Sequence, residues 1–260
     1  MMNPLDTIDH QTIIAVHDLS FGYKKGMSVL EHVDFTVPQG QSLAILGVNG
    51  AGKSTLLQLL VGLLRPWSGQ SVINQSIVPS ISTVFLMTEG ENMVPKLTVR
   101  ENIHLHQLAF QTRRESQNDD KDSVSIDTAP VITAFDLASH LDTVVADLSS
   151  GLRRRAGIAI GMLFNPDVVL LDEPTNSVDP TTRELLVDFS RQLRSTGHTL
   201  ITVTHDLDYT WRTAERILIL DRKRIISDRM LTEFPNFKSF TEATSFGREQ
   251  HDINFGIHPV

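Results

Sequence analysis

The chain has 260 residues and a formal net charge of -8, and its 23 basic residues are scattered apart from the run Arg153-Arg154-Arg155, so no basic stripe offers a nucleic-acid surface. Its length suits one large α/β domain carrying a subdomain. The absence of cysteine excludes disulfides, thiolate chemistry and cysteine-based metal clusters.

The N-terminal stretch Met1 to Asp6 has neither the basic region nor the apolar run of a signal peptide, so export of the chain is not expected. The most apolar runs, Leu56 to Leu64 and Val168 to Leu171, fall well short of the ~20 residues that cross a bilayer. Any membrane attachment is therefore expected to come through a partner, without direct insertion.

From Thr12 to Val37 the pattern predicts short antiparallel strands broken by the turn Gly22-Tyr23-Lys24-Lys25-Gly26. Ser42 to Leu46 is a near-continuous apolar run ending at glycine, as expected of a strand buried on both faces of a parallel sheet. Gly47-Val48-Asn49-Gly50-Ala51-Gly52-Lys53-Ser54 then matches G-x-x-x-x-G-K-[ST] between that strand and an apolar helix. The helix is predicted from Lys53 through Leu63 and Leu64, with Pro66 stopping it.

Glycines here let the backbone N–H groups of Asn49, Gly50, Ala51 and Gly52 curl around phosphate oxygens, and the helix N-terminus adds partial positive charge. Lys53 is expected to reach the β- and γ-phosphates, Ser54 to ligate Mg²⁺ and Thr55 to donate to the α-phosphate.

Thr98 to Glu101 fits a capping box, and helical patterns continue to about Ala146 around the polar stretch Ser116 to Ser123. Leu148-Ser149-Ser150-Gly151-Leu152 follows, readable on its own as a serine–glycine helix cap. Val168 to Leu171 is a further buried strand, and Asp172 and Glu173 end it. Asp172 is placed to hold the Mg²⁺ shell. Glu173, where the chain leaves the sheet, can turn toward a water in line with the γ-phosphate. The simpler alternative is two acids that merely end a strand.

Asp179-Pro180 is predicted to open a helix that Gly197 closes, and Thr199 to Val203 is another buried strand. A hairpin is expected over Ile217 to Ile226, followed by a polar tail with scattered phenylalanines and no clear period. The expected fold class is α/β: a P-loop NTPase core with a mainly parallel sheet, an antiparallel β subdomain and an inserted helical subdomain. The core is expected over about 1–88 and 155–228, the helical subdomain over about 89–154 and the tail over 229–260. Each motif occurs once, so one catalytic half is encoded.

With the P-loop, the Asp172-Glu173 pair and the Leu148 to Leu152 segment in this order, the chain resembles the ABC ATPase family, most closely exporter-type cassettes. The match extends from Leu19 to Asp228. Leu148-Ser149-Ser150-Gly151-Leu152 resembles the family signature L-S-G-G-Q, with Ser150 and Leu152 departing from it. The resemblance implies that Ser149 and Gly151 face the ATP held by a second ATPase subunit, identical or related. It also implies that Asn176-Ser177-Val178-Asp179 is the D-loop, with Asp179 at the dimer seam; the N-cap reading of Asp179 stands beside this one.

By the same resemblance His205 is the switch histidine contacting the γ-phosphate, the alternative being a loop hydrogen-bonder. Tyr23 is the aromatic that stacks on adenine, the alternative being a turn tyrosine packed on the sheet. Glu89 stands where the family usually has a glutamine, and is implied as a ligand of Mg²⁺ or its waters. The family further implies ATP hydrolysis coupled to an integral membrane permease, for which Glu89 and Ser149-Ser150-Gly151 lean toward export. The chain would then lie in the cytoplasm on the inner face of the membrane. A non-transport ABC ATPase, or a degenerate cassette binding ATP as a regulatory partner, are the alternatives.

Overall fold

The computed structural model describes residues 11–78, 83–88, 92–114 and 129–244. Strands β1 (Thr12–Phe21) and β2 (Leu30–Pro38) pair antiparallel through the turn that contains Tyr23. β3 (Ser42–Leu46) leads through the glycine loop into α1 (Lys53–Leu60), and β4 (Ser68–Ile73) returns to the free edge of β1. The result is a small antiparallel sheet of order β2-β1-β4.

After β5 (Val84–Met87) comes a helical insertion. It holds α2 (Val99–Arg114), α3 (Pro130–Ala134), single helical turns at Ala138–His140 and Val145–Asp147, and α4 (Ser150–Met162). The chain then alternates through β6 (Val168–Asp172), α5 (Pro180–Ser195), β7 (Thr199–Thr204), α6 (Leu207–Thr213) and β8 (Arg216–Asp221). β9 (Arg224–Met230), a turn at Leu231–Glu233 and α7 (Phe237–Thr244) complete it.

The large sheet has the order β5-β6-β7-β3-β8-β9, parallel throughout except for the antiparallel edge strand β9. Every residue of β3, β6 and β7 is buried, which is why these strands read as unbroken apolar runs. β9 alternates exposed and half-buried residues, as an edge strand with one wet face must.

Side-chain alternation splits these strands between two cores. Val168 and Leu170 join Ile201, Val203, Leu43 and Ile45 on one face, against Leu56, Leu57, Leu59 and Leu60 of α1 and the antiparallel sheet. Burying each of those leucines stabilises the fold by about 1.5–3 kcal/mol. Val169, Leu171 and Leu200 point the other way, onto α5 and the helical insertion. Thr98 and Glu101 form the expected reciprocal cap of α2: the Thr98 N–H reaches Glu101 Oε2 at 2.7 Å, and the Glu101 N–H reaches Thr98 Oγ1 at 3.1 Å.

Two expectations need amendment. α1 ends at Leu60 instead of running through Leu64, because Gly62 takes a left-handed φ of 75° before Pro66 is reached, and Leu63 is left exposed. The phenylalanines after β9 also have a place. Phe234 and Phe240 are buried with Ala44, Leu46, Ala214 and Ile217 in a third core, and the Trp211 ring lies 5.4 Å from that of Phe240. Glu89, the loop over 116–123 and the last part of the tail, 245–260, lie outside the described residues.

Candidate active site

β3 delivers the glycine loop at the C-terminal edge of the parallel sheet. A Cβ on Gly47 would stand 2.5 Å from the Leu220 carbonyl oxygen of β8, so only glycine lets the loop leave the sheet this closely. Gly50 and Gly52 carry φ of 81° and 102°, which curl the backbone ahead of α1. The Ala51 N–H closes the turn onto the Val48 carbonyl at 3.1 Å.

Lys53 is 6% exposed. Its ammonium donates to the Gly47 and Val48 carbonyls at 2.9 and 3.3 Å and lies 3.2 Å from Glu173 Oε1. The neighbouring Ser54 hydroxyl donates to Asp172 Oδ1 at 3.0 Å. Both acids therefore face the glycine loop, although they are consecutive at the end of a strand, where side chains normally diverge.

The backbone supplies the reason. Glu173 still donates its N–H to Val203 of β7 at 2.9 Å, then turns with φ 45°, and the Asn176 N–H closes the turn onto its carbonyl at 3.1 Å. A left-handed glutamate costs about 1–3 kcal/mol and persists because the ladder and the turn hold it on both sides.

His205, at the end of β7, completes the group: its Nδ1 lies 2.9 Å from Glu173 Oε2, and its backbone N–H reaches the same oxygen at 3.3 Å. Tyr23 stands 63% exposed beside the loop, its hydroxyl 3.0 Å from Thr55 Oγ1 and its ring edge-on to Phe21 at 5.1 Å. The structure thus brings Tyr23, Asn49, Gly50, Ala51, Gly52, Lys53, Ser54, Thr55, Asp172, Glu173 and His205 to one place.

A second group forms around α4. Ser149 caps that helix, accepting the Leu152 N–H at 3.2 Å, and the Ser150 hydroxyl donates to the Ser177 carbonyl at 2.8 Å. Asp179 caps α5, taking the N–H and the hydroxyl of Thr182 at 2.9 and 2.7 Å. These bonds, the Thr182 hydroxyl foremost, hold the Asp179 carboxyl below its usual range. Gly151 packs against the same pair, so that a Cβ there would lie 2.4 Å from Asp179 Oδ2. The N-cap reading of Asp179 is therefore correct, and its exposed position leaves the seam role open to it.

The donor set suits a triphosphate with its metal. A ring of loop N–H groups, an ammonium, and a hydroxyl–carboxylate pair 3.0 Å apart are what phosphate oxygens and a hard cation require. Among the described residues no three His, Cys, Asp or Glu side chains form a free-standing metal site, so a cation here would complete its oxygen shell from phosphate and water. Sequence reasoning passed over Asp206, which caps α6 and gathers contacts from three elements. An Asp directly ahead of a short helix was the signal available.

The model of the ABC transporter family matches residues 30–176. The methionine import ATP-binding protein MetN of Caulobacter vibrioides is 30% identical over 249 residues, 91% of this chain and 73% of that protein. The Nod factor export ATP-binding protein I of Burkholderia orbicola is 31% identical over 205 residues, 77% of this chain but 65% of that protein. Among solved structures, an ATP binding subunit of an ABC transporter aligns with a TM-score of 0.71 at 26% identity, over 86% of this chain and 92% of that one. A dimeric ATP-binding cassette bound to ADP and Pi has the same fold, with a TM-score of 0.71 at 24% identity over 84% and 99% of the two chains. The chain belongs to the ABC transporter family as an ATP-binding, ATP-hydrolysing subunit.

Proposed function

We propose that two such subunits sandwich ATP head to tail, each nucleotide held by the glycine loop of one and by Ser149 and Gly151 of the other. The observation that carries this reading is the convergence of Ser54 on Asp172 and of Lys53 on Glu173, at 3.0 and 3.2 Å. Lys53 exchanges its carbonyl and carboxylate partners for β- and γ-phosphate oxygens. Glu173, with one oxygen freed, accepts a proton from the attacking water as the bond from the γ-phosphorus to the bridging oxygen of ADP breaks. Ser54 and Asp172, together with Glu89, would hold a Mg²⁺, which would supply positive charge against the phosphates. His205 steadies the second oxygen of Glu173 and faces the γ-phosphate, and Tyr23 lies against the adenine.

Loss of the γ-phosphate removes contacts that join the pair, and that difference drives a permease partner. The exposed Val94, Leu105 and Leu108 beside and on α2 support the helical insertion as the docking surface. No helix among the described residues is long and apolar enough to cross a membrane. Attachment at the inner face through the permease, in the cytoplasm, fits this picture. Import and export proteins stand among the relatives at 30% and 31% identity, so the leaning toward export rests on Glu89 and the Ser149-Ser150-Gly151 signature alone.

The test is Glu173→Gln. Phosphate release should fall by about 10²–10⁴-fold while ATP stays bound and an ATP-dependent dimer accumulates on size exclusion. Turnover at the wild-type rate would overturn the assignment of the base.

A further inference from the structure

The Asp206 carboxylate joins three separate elements. Its Oδ2 accepts the Thr175 hydroxyl at 3.0 Å, from the turn that follows Glu173. Arg183 of α5 grips both oxygens, Nε at 3.1 Å from Oδ2 and Nη2 at 2.8 Å from Oδ1. The Tyr209 N–H of α6 adds 2.9 Å to Oδ1. Arg183 also reaches Asp208 at 2.9 Å, and its backbone N–H bonds the Asp179 carbonyl at 3.0 Å.

Asp206 adjoins His205, and Thr175 lies two residues beyond Glu173. The bond between His205 and Glu173 therefore closes a ring: Glu173, His205, Asp206, Thr175 and back along the chain to Glu173. An open cavity lined by Thr175, Asn176, His205, Asp206, Leu207, Phe237 and Thr241 borders the ring. Burial pushes the Asp206 carboxyl upward, but the Arg183 guanidinium, the Tyr209 N–H and the Thr175 hydroxyl outweigh it and hold the group below its usual range. A bidentate guanidinium–carboxylate pair fixes orientation as well as distance.

We propose that Asp206 is a positioning residue that locks His205 to Glu173 and ties both, through Arg183, to the segment ending in Asp179. The proposal rests on the roles given above to Glu173 and His205. A shift at Asp179 then reaches the base through a rigid polar ring, so contact with a second subunit at that segment sets the geometry of the water-activating carboxylate.

The experiment uses Thr175→Val, which removes one bond and leaves the α6 cap and the Arg183 grip in place, with Asp206→Ala and Asp206→Asn beside it. Thr175→Val should lower kcat about tenfold, with KM for ATP within about twofold and thermal stability retained. Asp206→Ala should lower kcat further, and Asp206→Asn should recover part of the loss. In a His205→Ala background Thr175→Val should have no further effect. Equal losses from Thr175→Val in both backgrounds, or a fall in melting temperature with unchanged kcat, would overturn the ring. A wild-type kcat in His205→Ala alone would instead sink the reading of the site, and the proposal with it.

Discussion

The glycine-loop group and the signature group use similar residues in opposite ways. Around Lys53 the polar side chains meet one another across long sequence separations: Ser54 with Asp172, Lys53 with Glu173, Glu173 with His205. Around Ser149 they mostly serve their own helices, with Ser149 capping α4, Asp179 capping α5, and Ser150 and Arg155 reaching across to Ser177 and Thr182. Lys53, Asp172 and Glu173 of the first group are buried and charged, whereas Ser149 and Asp179 stand exposed. A charged cluster built by sheet order can bind and activate a phosphate by itself. A capped helix N-terminus with satisfied side chains offers only a preset surface, which in the proposed head-to-tail pair would complete the first group on another copy.

The strongest way to break the comparison is Lys53→Ala. Removing the buried ammonium should abolish phosphate release, a loss beyond about 10²-fold, and should also weaken ATP binding by the single chain, read by nucleotide fluorescence. Gly151→Ala acts on the other group. Its added methyl collides with Asp179 and Thr182, a strain of about 1–3 kcal/mol, so it should lower ATP-driven dimerisation and turnover while single-chain ATP affinity stays at the wild-type level. Equal loss of ATP affinity in both variants would erase the distinction between the groups.

The smallest effect concerns acid. Asp179 has its folded value depressed below the ordinary 3.8 by the Thr182 hydroxyl and N–H. Its contribution to stability is therefore complete above 3.8 and is lost as pH falls through the lower folded value. Thermal unfolding between about pH 5 and about pH 2 should show a slightly shallower acid loss in Asp179→Asn, which keeps a capping oxygen but does not titrate.

Much of this was legible in the sequence because the relevant signals are local. β3, β6 and β7 are buried on both faces, and such strands announce themselves as apolar runs whatever the partner. The glycine loop reads from its spacing, and Asp179-Pro180 opens α5 where a cap followed by proline should. What the sequence concealed depends on tertiary placement. Gly62 stops α1 through a left-handed turn that looks no different in sequence from a tolerated glycine. Phe234 and Phe240 belong to pieces too short to show a period, and only the apolar faces of Trp211 and Leu46 give them a destination. Asp206 reads in sequence as no more than a helix cap until Arg183 and Thr175 converge on it.

The third core also bears on how the protein is made. β3, which carries the glycine loop, is flanked by β7 and β8, and its Ala44 and Leu46 are sealed by Phe234 and Phe240. An emerging chain presents this strand early but supplies its neighbours only once β7 and β8 have left the ribosome, and its cover only once Phe240 has followed. The segment is therefore left uncovered through most of translation, and it is the natural place for a chaperone to act.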